Sequence, residues 1–106
     1  MPQYAVYRNK SIKSKEQYPY IIDIQNNLLD DYHSRVIMPI APLSQKNAQI
    51  KVLSPIITIH GIHHVIITKS ITTVSKNKLK PNDLVCIIPS IHTKIISAVD
   101  MILSGI

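Results

Sequence analysis

Only one segment of the sequence has apolar residues at helical spacing, and it is the last one. Between Pro89 and Ile106, the apolar residues that recur at steps of three and four are Ile91, Ile95, Ala98, Val99 and Ile102. Such a stripe is typical of one packed face of a helix. Ser90 is predicted as the N-cap, because its hydroxyl can accept a hydrogen bond from an amide of the first turn. Since the helix is rich in β-branched residues, packing rather than intrinsic propensity must stabilise it.

The rest of the chain consists of short apolar runs separated by proline, glycine and polar residues. Strands are predicted at residues 4–7, 18–25, 35–43, 55–59, 65–68, 71–74 and 84–88. In the first run, alternation places Ala5 and Tyr7 on one face and Tyr4 and Val6 on the other. Short strands with many turns and one closing helix predict a strongly bent sheet or a small, partly open barrel.

Proline and glycine make two of these predictions more specific. Pro39 and Pro42 lie within the third run, which indicates an edge, a bend or a bulge rather than a long central ladder. The segment His60–His64 separates the fourth and fifth runs and contains Gly61. It is predicted to form the turn of a β-hairpin.

The composition indicates one folded domain over residues 1–106, located in the cytoplasm. The hydrophobic content is 45% and the mean hydropathy is +0.12, which is typical of a chain that folds. No apolar run approaches the roughly 18 residues that a membrane span needs, and the first residues do not resemble a signal peptide. The single cysteine, Cys86, is predicted to be a small buried hydrophobe.

The chain carries a formal net charge of +6, a balance that suits nucleic acid or acidic protein partners. The basic residues fall into a first basic loop (residues 8–15) and a second basic loop (residues 76–80). Two solvated loops are predicted in preference to a dedicated nucleic-acid surface. Phenylalanine and tryptophan are absent, which argues against an RNA-reading sheet with stacking platforms.

No residue pattern requires catalysis, a metal or a cofactor. The histidines His60, His63 and His64 are the only metal-like cluster in the sequence. On an extended segment, however, His63 and His64 point to opposite faces, so we expect solvated hairpin histidines and no metal site. His33 with Arg35 would suit a ribonuclease, but such a pair is common without activity. The residues alone predict a small, basic, mostly β binding module that is not an enzyme.

Three stretches together carry a resemblance to a known family. Tyr20–Asp30 with Arg35–Ala41 is similar to the second and third strands of the CcdB toxins, and Pro55–Ile59 with Val65–Thr68 resembles their central hairpin. The closing helix, with its final Gly105-Ile106, resembles their C-terminus. The resemblance implies a Src-homology-3-like barrel with a C-terminal helix, the fold shared with the Kid and MazF toxins, paired as a homodimer.

The resemblance also implies a function and its partners. CcdB toxins bind the A subunit of DNA gyrase and trap gyrase on cleaved DNA. A cognate CcdA-like antitoxin folds onto the toxin dimer and removes it, and the two proteins together bind operator DNA and repress their own promoter. Coupled folding of a disordered antitoxin segment suits a switch of this kind.

Carried over by position, the gyrase-binding surface consists of Leu28, Leu29, Asp100, Leu103, Ser104, Gly105 and Ile106. The family has an aromatic pair where this chain has Leu103-Ser104, and the tryptophan matched by Ser104 is the family's main anchor. Asp100 is charged where the family has a neutral amide. Two alternatives therefore stay open: a non-toxic homologue that binds antitoxins or assists repression, and, with less support, a MazF-like endoribonuclease.

Overall fold

The computed structural model describes residues 2–26, 33–45 and 54–104. In this part of the chain the strands are β1 (Ala5–Arg8), β2 (Tyr20–Asp23), β3 (Ser34–Pro42), β4 (Ile56–Ile59), β5 (Ile62–Ile66), β6 (Thr72–Ser75) and β7 (Leu84–Ile87). They are followed by one α-helix, α1 (His92–Ser104). Short 3-10 turns lie at Thr68–Ser70, Lys76–Lys78, Pro81–Asp83 and Pro89–Ile91. The predicted mainly β chain with a closing helix is confirmed.

The strands form one antiparallel sheet in the order β4–β5–β3–β2–β1–β7, with β6 paired to β3. Both outer strands of this order face the same core, since Ile57 and Ile59 of β4 and Cys86 of β7 all pack there. Strands β4 and β7 also line a common cavity of about 350 Å³. The sheet is therefore curled into a half-barrel, as the short, bent strands predicted.

Strand β3 lies at the centre of the sheet despite its prolines. One edge pairs with β2, and the other pairs with β6 through residues 34–37 and with β5 through residues 40–42. Pro39 lies where the second edge changes partner, and its carbonyl accepts from the amide of Ile67 at 2.9 Å. Because the N–H and C=O of one strand residue point to the same side, the missing N–H of Pro39 falls in this gap. The prolines were predicted to indicate an edge, a bend or a bulge rather than a long central ladder. Strand β3 is not at an edge, but no long ladder runs along its second side, because the pairing changes partner at Pro39 and the strand ends at Pro42.

A two-residue turn, His60-Gly61, joins β4 and β5. The φ angles of these residues are +51° and +76°, the combination that a type I′ hairpin turn requires and that glycine adopts at little cost. The predicted hairpin is confirmed, but its turn is shorter than predicted. His63 and His64 consequently belong to β5.

Alternate residues from Tyr4, which precedes β1, to Tyr7 pack on opposite faces of the sheet, as predicted. Tyr4 and Val6 contribute to the cluster that includes Ile95 of α1. Ala5 and Tyr7 contribute to a second cluster on the other face, which includes Leu79. The sheet therefore has two faces with different cover: α1 on one, and the segment that follows β6 on the other.

Asp23 and Arg35 form an ion pair whose side chains are both 0% exposed. Arg35 donates from Nε to Asp23 Oδ2 at 2.8 Å and from Nη2 to Oδ1 at 3.1 Å. Gln25 extends the network, since its carbonyl accepts from Arg35 Nη2 at 3.3 Å and its Oε1 accepts from the amide of Val36 at 3.0 Å. Burial raises the pKa of the Asp23 carboxyl. The hydrogen bonds from Arg35 and the Gln25 amide lower this pKa, but burial has the larger effect. This network ties the end of β2 to the start of β3.

Replacing Arg35 with leucine should lower the free energy of unfolding by about 3–5 kcal/mol, because Asp23 would keep a buried charge without a partner. The measurement is urea unfolding at neutral pH, followed by circular dichroism at a fixed protein concentration. The double variant Asp23→Leu/Arg35→Leu should recover part of the loss, because it removes both charges. Arg8→Leu is the matched control on an exposed arginine. A loss in Arg35→Leu no larger than in this control would contradict the role assigned to the pair.

Candidate functional site on the C-terminal helix

The helical segment begins earlier than the sequence predicted. The 3-10 turn Pro89–Ile91 runs directly into α1, and the N-cap residue is Ile88, without a side-chain cap. The prediction that Ser90 caps the helix was therefore wrong. The reason is Pro89, whose fixed φ suits the first helical position and places Ser90 inside the first turn.

The predicted apolar stripe packs α1 onto the sheet, except at its end. Ile91, Ile95 and Ala98 are buried, and Val99 is partly buried against the same cluster. Ile102, the last residue of the stripe, is 40% exposed instead. Residues 102–104 are all exposed, so the final turn of α1 extends beyond the core that holds the first turns.

Tyr4 fixes the start of α1. Its hydroxyl is hydrogen-bonded to Nδ1 of His92, and the two rings meet edge to face with centroids 5.5 Å apart. Burial raises the pKa of the Tyr4 phenol, so the hydroxyl keeps its proton at neutral pH. The Tyr4 amide donates to the Asp23 carbonyl at 2.5 Å, and the Tyr4 carbonyl accepts from the Ile88 amide at 3.0 Å. These contacts hold Tyr4 at a φ of +66°, a left-handed conformation that costs a non-glycine residue about 1–2 kcal/mol.

Three residues of the sequence-predicted surface lie together at the end of α1. Asp100, Leu103 and Ser104 are exposed, and their spacing of three and four residues places them side by side on one face of the helix. Leu103 is 79% exposed, which makes it the main apolar group of this face. We call these three residues the helix-end surface. Leu28, Leu29, Gly105 and Ile106, the other predicted site residues, lie outside the described residues.

Sequence reasoning missed one residue of this face. Ile96 is 45% exposed and precedes Asp100 by four residues and Leu103 by seven, so it continues the same face towards the helix start. The signal was the pair Ile95-Ile96, since two consecutive helical residues point about 100° apart and Ile96 falls outside the stripe that contains Ile95. The exposed apolar face of α1 thus runs over two turns.

The hairpin histidines do not converge on a common point. His60 is exposed in the turn, and His63 is exposed with its Nδ1 3.2 Å from the hydroxyl of Thr58. His64 is buried on the opposite face, where its ring meets Tyr20 edge to face and Nδ1 donates to the Ile62 carbonyl at 2.9 Å. The prediction that all three are solvated was wrong for His64. Within residues 2–26, 33–45 and 54–104, no group of three potential metal ligands is found.

Arg35 and Cys86, two further residues considered in the sequence, both pack inside the fold. Arg35 is fully buried against Asp23, so it is not available to the phosphate of an RNA beside the exposed His33. Cys86 is half-buried against the cluster that includes Ile95 of α1, and burial raises the pKa of its thiol. A higher thiol pKa reduces the thiolate fraction, so Cys86 is a poor nucleophile.

The two basic loops are neighbours rather than separate features. Nζ of Lys10 lies 3.5 Å from the carboxylate of Asp83, and Nη1 of Arg8 donates to the carbonyl of Asn82 at 3.4 Å. Both contacts join the first basic loop to the segment that follows the second. The pairing of β1 with β7 brings these segments together.

None of the helices in the described part of the chain is long and apolar enough to cross a membrane. A comparison with individually curated proteins gave no match. The model of a protein family described as "CcdB protein" matches residues 3–105, nearly the whole length. The curled sheet, the closing helix and this match agree with one another. The chain therefore belongs to the CcdB family, the toxins of toxin–antitoxin pairs.

Proposed function

We propose that this protein binds the A subunit of DNA gyrase through the helix-end surface and traps gyrase on cleaved DNA. The observation that carries the proposal is Leu103, a large apolar side chain that is 79% exposed at the end of a helix in a CcdB-family chain. An exposed leucine on a firmly packed helix costs little ordering entropy when it is buried by a partner. Gly105 and Ile106, which follow α1 in the sequence, belong to the same proposed contact.

Apolar burial supplies most of the affinity in this proposal. Complete burial of a leucine side chain is worth about 1.5–3 kcal/mol, and Ile96 adds a second apolar contact where the partner reaches the earlier turn. Asp100 gives the surface a negative charge beside Leu103, which favours a partner with a nearby lysine or arginine. The helix-end surface would thus combine one apolar anchor with one charged contact.

Ser104 lowers the affinity that this surface can reach. A serine occupies the position that matches the family's tryptophan, and loss of a buried tryptophan at a binding interface typically costs about 2–4 kcal/mol. That cost corresponds to a roughly 30- to 800-fold weaker complex. We therefore expect a gyrase contact that is weaker than an aromatic pair would give, or one that is directed differently.

The remaining parts of the proposal concern other partners. We propose a homodimer, a cognate CcdA-like antitoxin that covers the toxin, and joint binding of the two proteins to operator DNA. The net charge of +6 favours an antitoxin that is acidic overall. All of these are binding roles without catalysis, and the burial of Arg35 removes the residue that the ribonuclease alternative would have used beside His33.

A second candidate function is a non-toxic homologue that binds antitoxins or assists repression. Ser104 is the observation that favours it, because the surface lacks the aromatic anchor of the family. The two candidates differ in whether the chain alone affects gyrase, and both keep the same fold and the same antitoxin partner. Experiments on gyrase and on cell growth therefore separate them.

In a gyrase cleavage assay on supercoiled DNA, the native chain should produce linear DNA, and Ser104→Trp should do so at an at least about tenfold lower concentration. The reason is that a tryptophan restores the large apolar contact beside Leu103. Gln17→Trp is the matched control, since it adds the same side chain at an exposed position in the loop between β1 and β2, outside α1. Linear DNA with Ser104→Trp alone would favour the non-toxic homologue. No linear DNA with either chain would overturn the assignment of gyrase as the target.

Expression of the chain alone in bacterial cells should arrest growth, and Leu103→Ser should relieve the arrest, because it removes the exposed apolar anchor. Growth curves at matched expression levels provide the measurement. Ile12→Ser is the control, because Ile12 is also a highly exposed apolar residue, 88% accessible, but lies in the first basic loop. Equal relief by both variants would show that the helix-end surface is not the cause of toxicity.

A further inference from the structure

A cavity of about 580 Å³ lies on the face of the sheet opposite α1. Its apolar floor contains Ile21, Ile37 and Val74, which belong to the second cluster and not to the helix-side core. The walls include hydroxyl groups of the first basic loop, among them that of Ser14. A volume of this size lies within the range of about 300–1,000 Å³ found for small-molecule sites.

Three cationic side chains surround the mouth of this cavity. Arg8 and Lys10 come from the first basic loop and Lys78 from the second, and all three are exposed. The described residues that line the cavity include no acidic side chain. Lys10 lies 3.5 Å from Asp83, whose side chain is 13% exposed, but the Lys10 side chain itself is 68% exposed. Its ammonium group therefore stays accessible to a ligand anion at the mouth.

The combination of an apolar floor and a cationic mouth selects one class of ligand. A bare inorganic anion would pair with the cations but would leave the floor unfilled. A neutral apolar molecule would fill the floor but leave the cations without a partner. The DNA backbone offers phosphates at regular spacing without an apolar group to insert. Only an anion with an apolar body satisfies both halves of the cavity.

We propose that this cavity binds a small organic anion, such as an aryl or acyl carboxylate or phosphate ester. Its anionic group pairs with the three cations at the mouth, and its apolar body lies on the floor formed by β2, β3 and β6. The cavity and the helix-end surface lie on opposite faces of the sheet, so this site does not depend on the gyrase proposal. Its test also uses no toxicity readout.

Isothermal titration calorimetry with three probes tests both halves of the site. The probe 1-naphthyl phosphate should bind at one molecule per chain. Inorganic phosphate, which lacks the apolar body, and 1-naphthol, which lacks the charge, should each bind at least about tenfold more weakly. Equal affinity for 1-naphthol and 1-naphthyl phosphate would show that the cations do not take part and would overturn the proposal.

A charge-reversal pair locates the site on the protein. Arg8→Glu/Lys78→Glu should weaken binding of 1-naphthyl phosphate at least about tenfold, because both cations at the mouth change sign. Lys69→Glu/Lys94→Glu is the matched control, since it changes the net charge equally with exposed lysines that do not line this cavity. Its effect should stay within about twofold at 0.15 M salt, where distant charges are screened. Equal weakening by the two variants would attribute binding to net charge alone.

Methyl NMR of the native chain provides a readout that needs no variant. Addition of 1-naphthyl phosphate should shift the methyl resonances of Ile21, Ile37 and Val74 and leave those of Ile96 and Leu103 unchanged. The opposite pattern would place the probe on the exposed face of α1 and overturn the proposal. An acidic peptide that shifts the floor methyls when 1-naphthyl phosphate does not would also overturn it, in favour of a macromolecular partner.

Discussion

The buried ion pair of Asp23 and Arg35 is the interaction on which the rest of this structure depends. An ion pair without solvent contact is stable only when its geometry is good and the remaining hydrogen-bonding groups are satisfied. Both conditions hold here, because Arg35 binds both carboxylate oxygens and the Gln25 carbonyl. A buried pair of this kind tolerates no slip of the β2–β3 register, since a shift of one strand by one residue would turn its charged side chain to the other face of the sheet, away from its partner.

The backbone of Asp23 also connects the sheet to the helix, through Tyr4. The Asp23 carbonyl accepts from the Tyr4 amide, the Ile88 amide donates to the Tyr4 carbonyl, and the Tyr4 hydroxyl is hydrogen-bonded to His92. One buried residue thus joins β2, the end of β7 and the start of α1. Because these contacts fix the first turn of α1 and the apolar stripe fixes the next two, the last turn is held in place without being covered. A surface that is both rigid and exposed is suited to binding a partner at low entropic cost.

The sequence predicted those parts of the structure that depend on local periodicity. The stripe of Ile91, Ile95 and Ala98 identified the packed face of α1, and the alternation in β1 assigned each side chain to the correct side of the sheet. Apart from the predicted cap at Ser90, which the neighbouring Pro89 displaced, the failures involved contacts between distant segments. No local pattern could show that Pro39 lies between two partner strands, or that Arg8 and Lys78 border one cavity, because both depend on which strands pair. The Asp23–Arg35 pair could have been predicted, since two charged residues in neighbouring apolar strands must pair with each other if both strands are buried.

The distribution of charge gives the two faces of the sheet different chemistry. The basic loops lie on the face opposite α1, whereas the helix-end surface combines Leu103 with the negative charge of Asp100. A partner that matches the helix end therefore differs from a ligand that matches the cavity, since one surface attracts cations and the other anions. The net charge of +6 describes neither face. A single sheet with an apolar core on each side lets the chain present both surfaces at once, so binding at one face leaves the other face accessible.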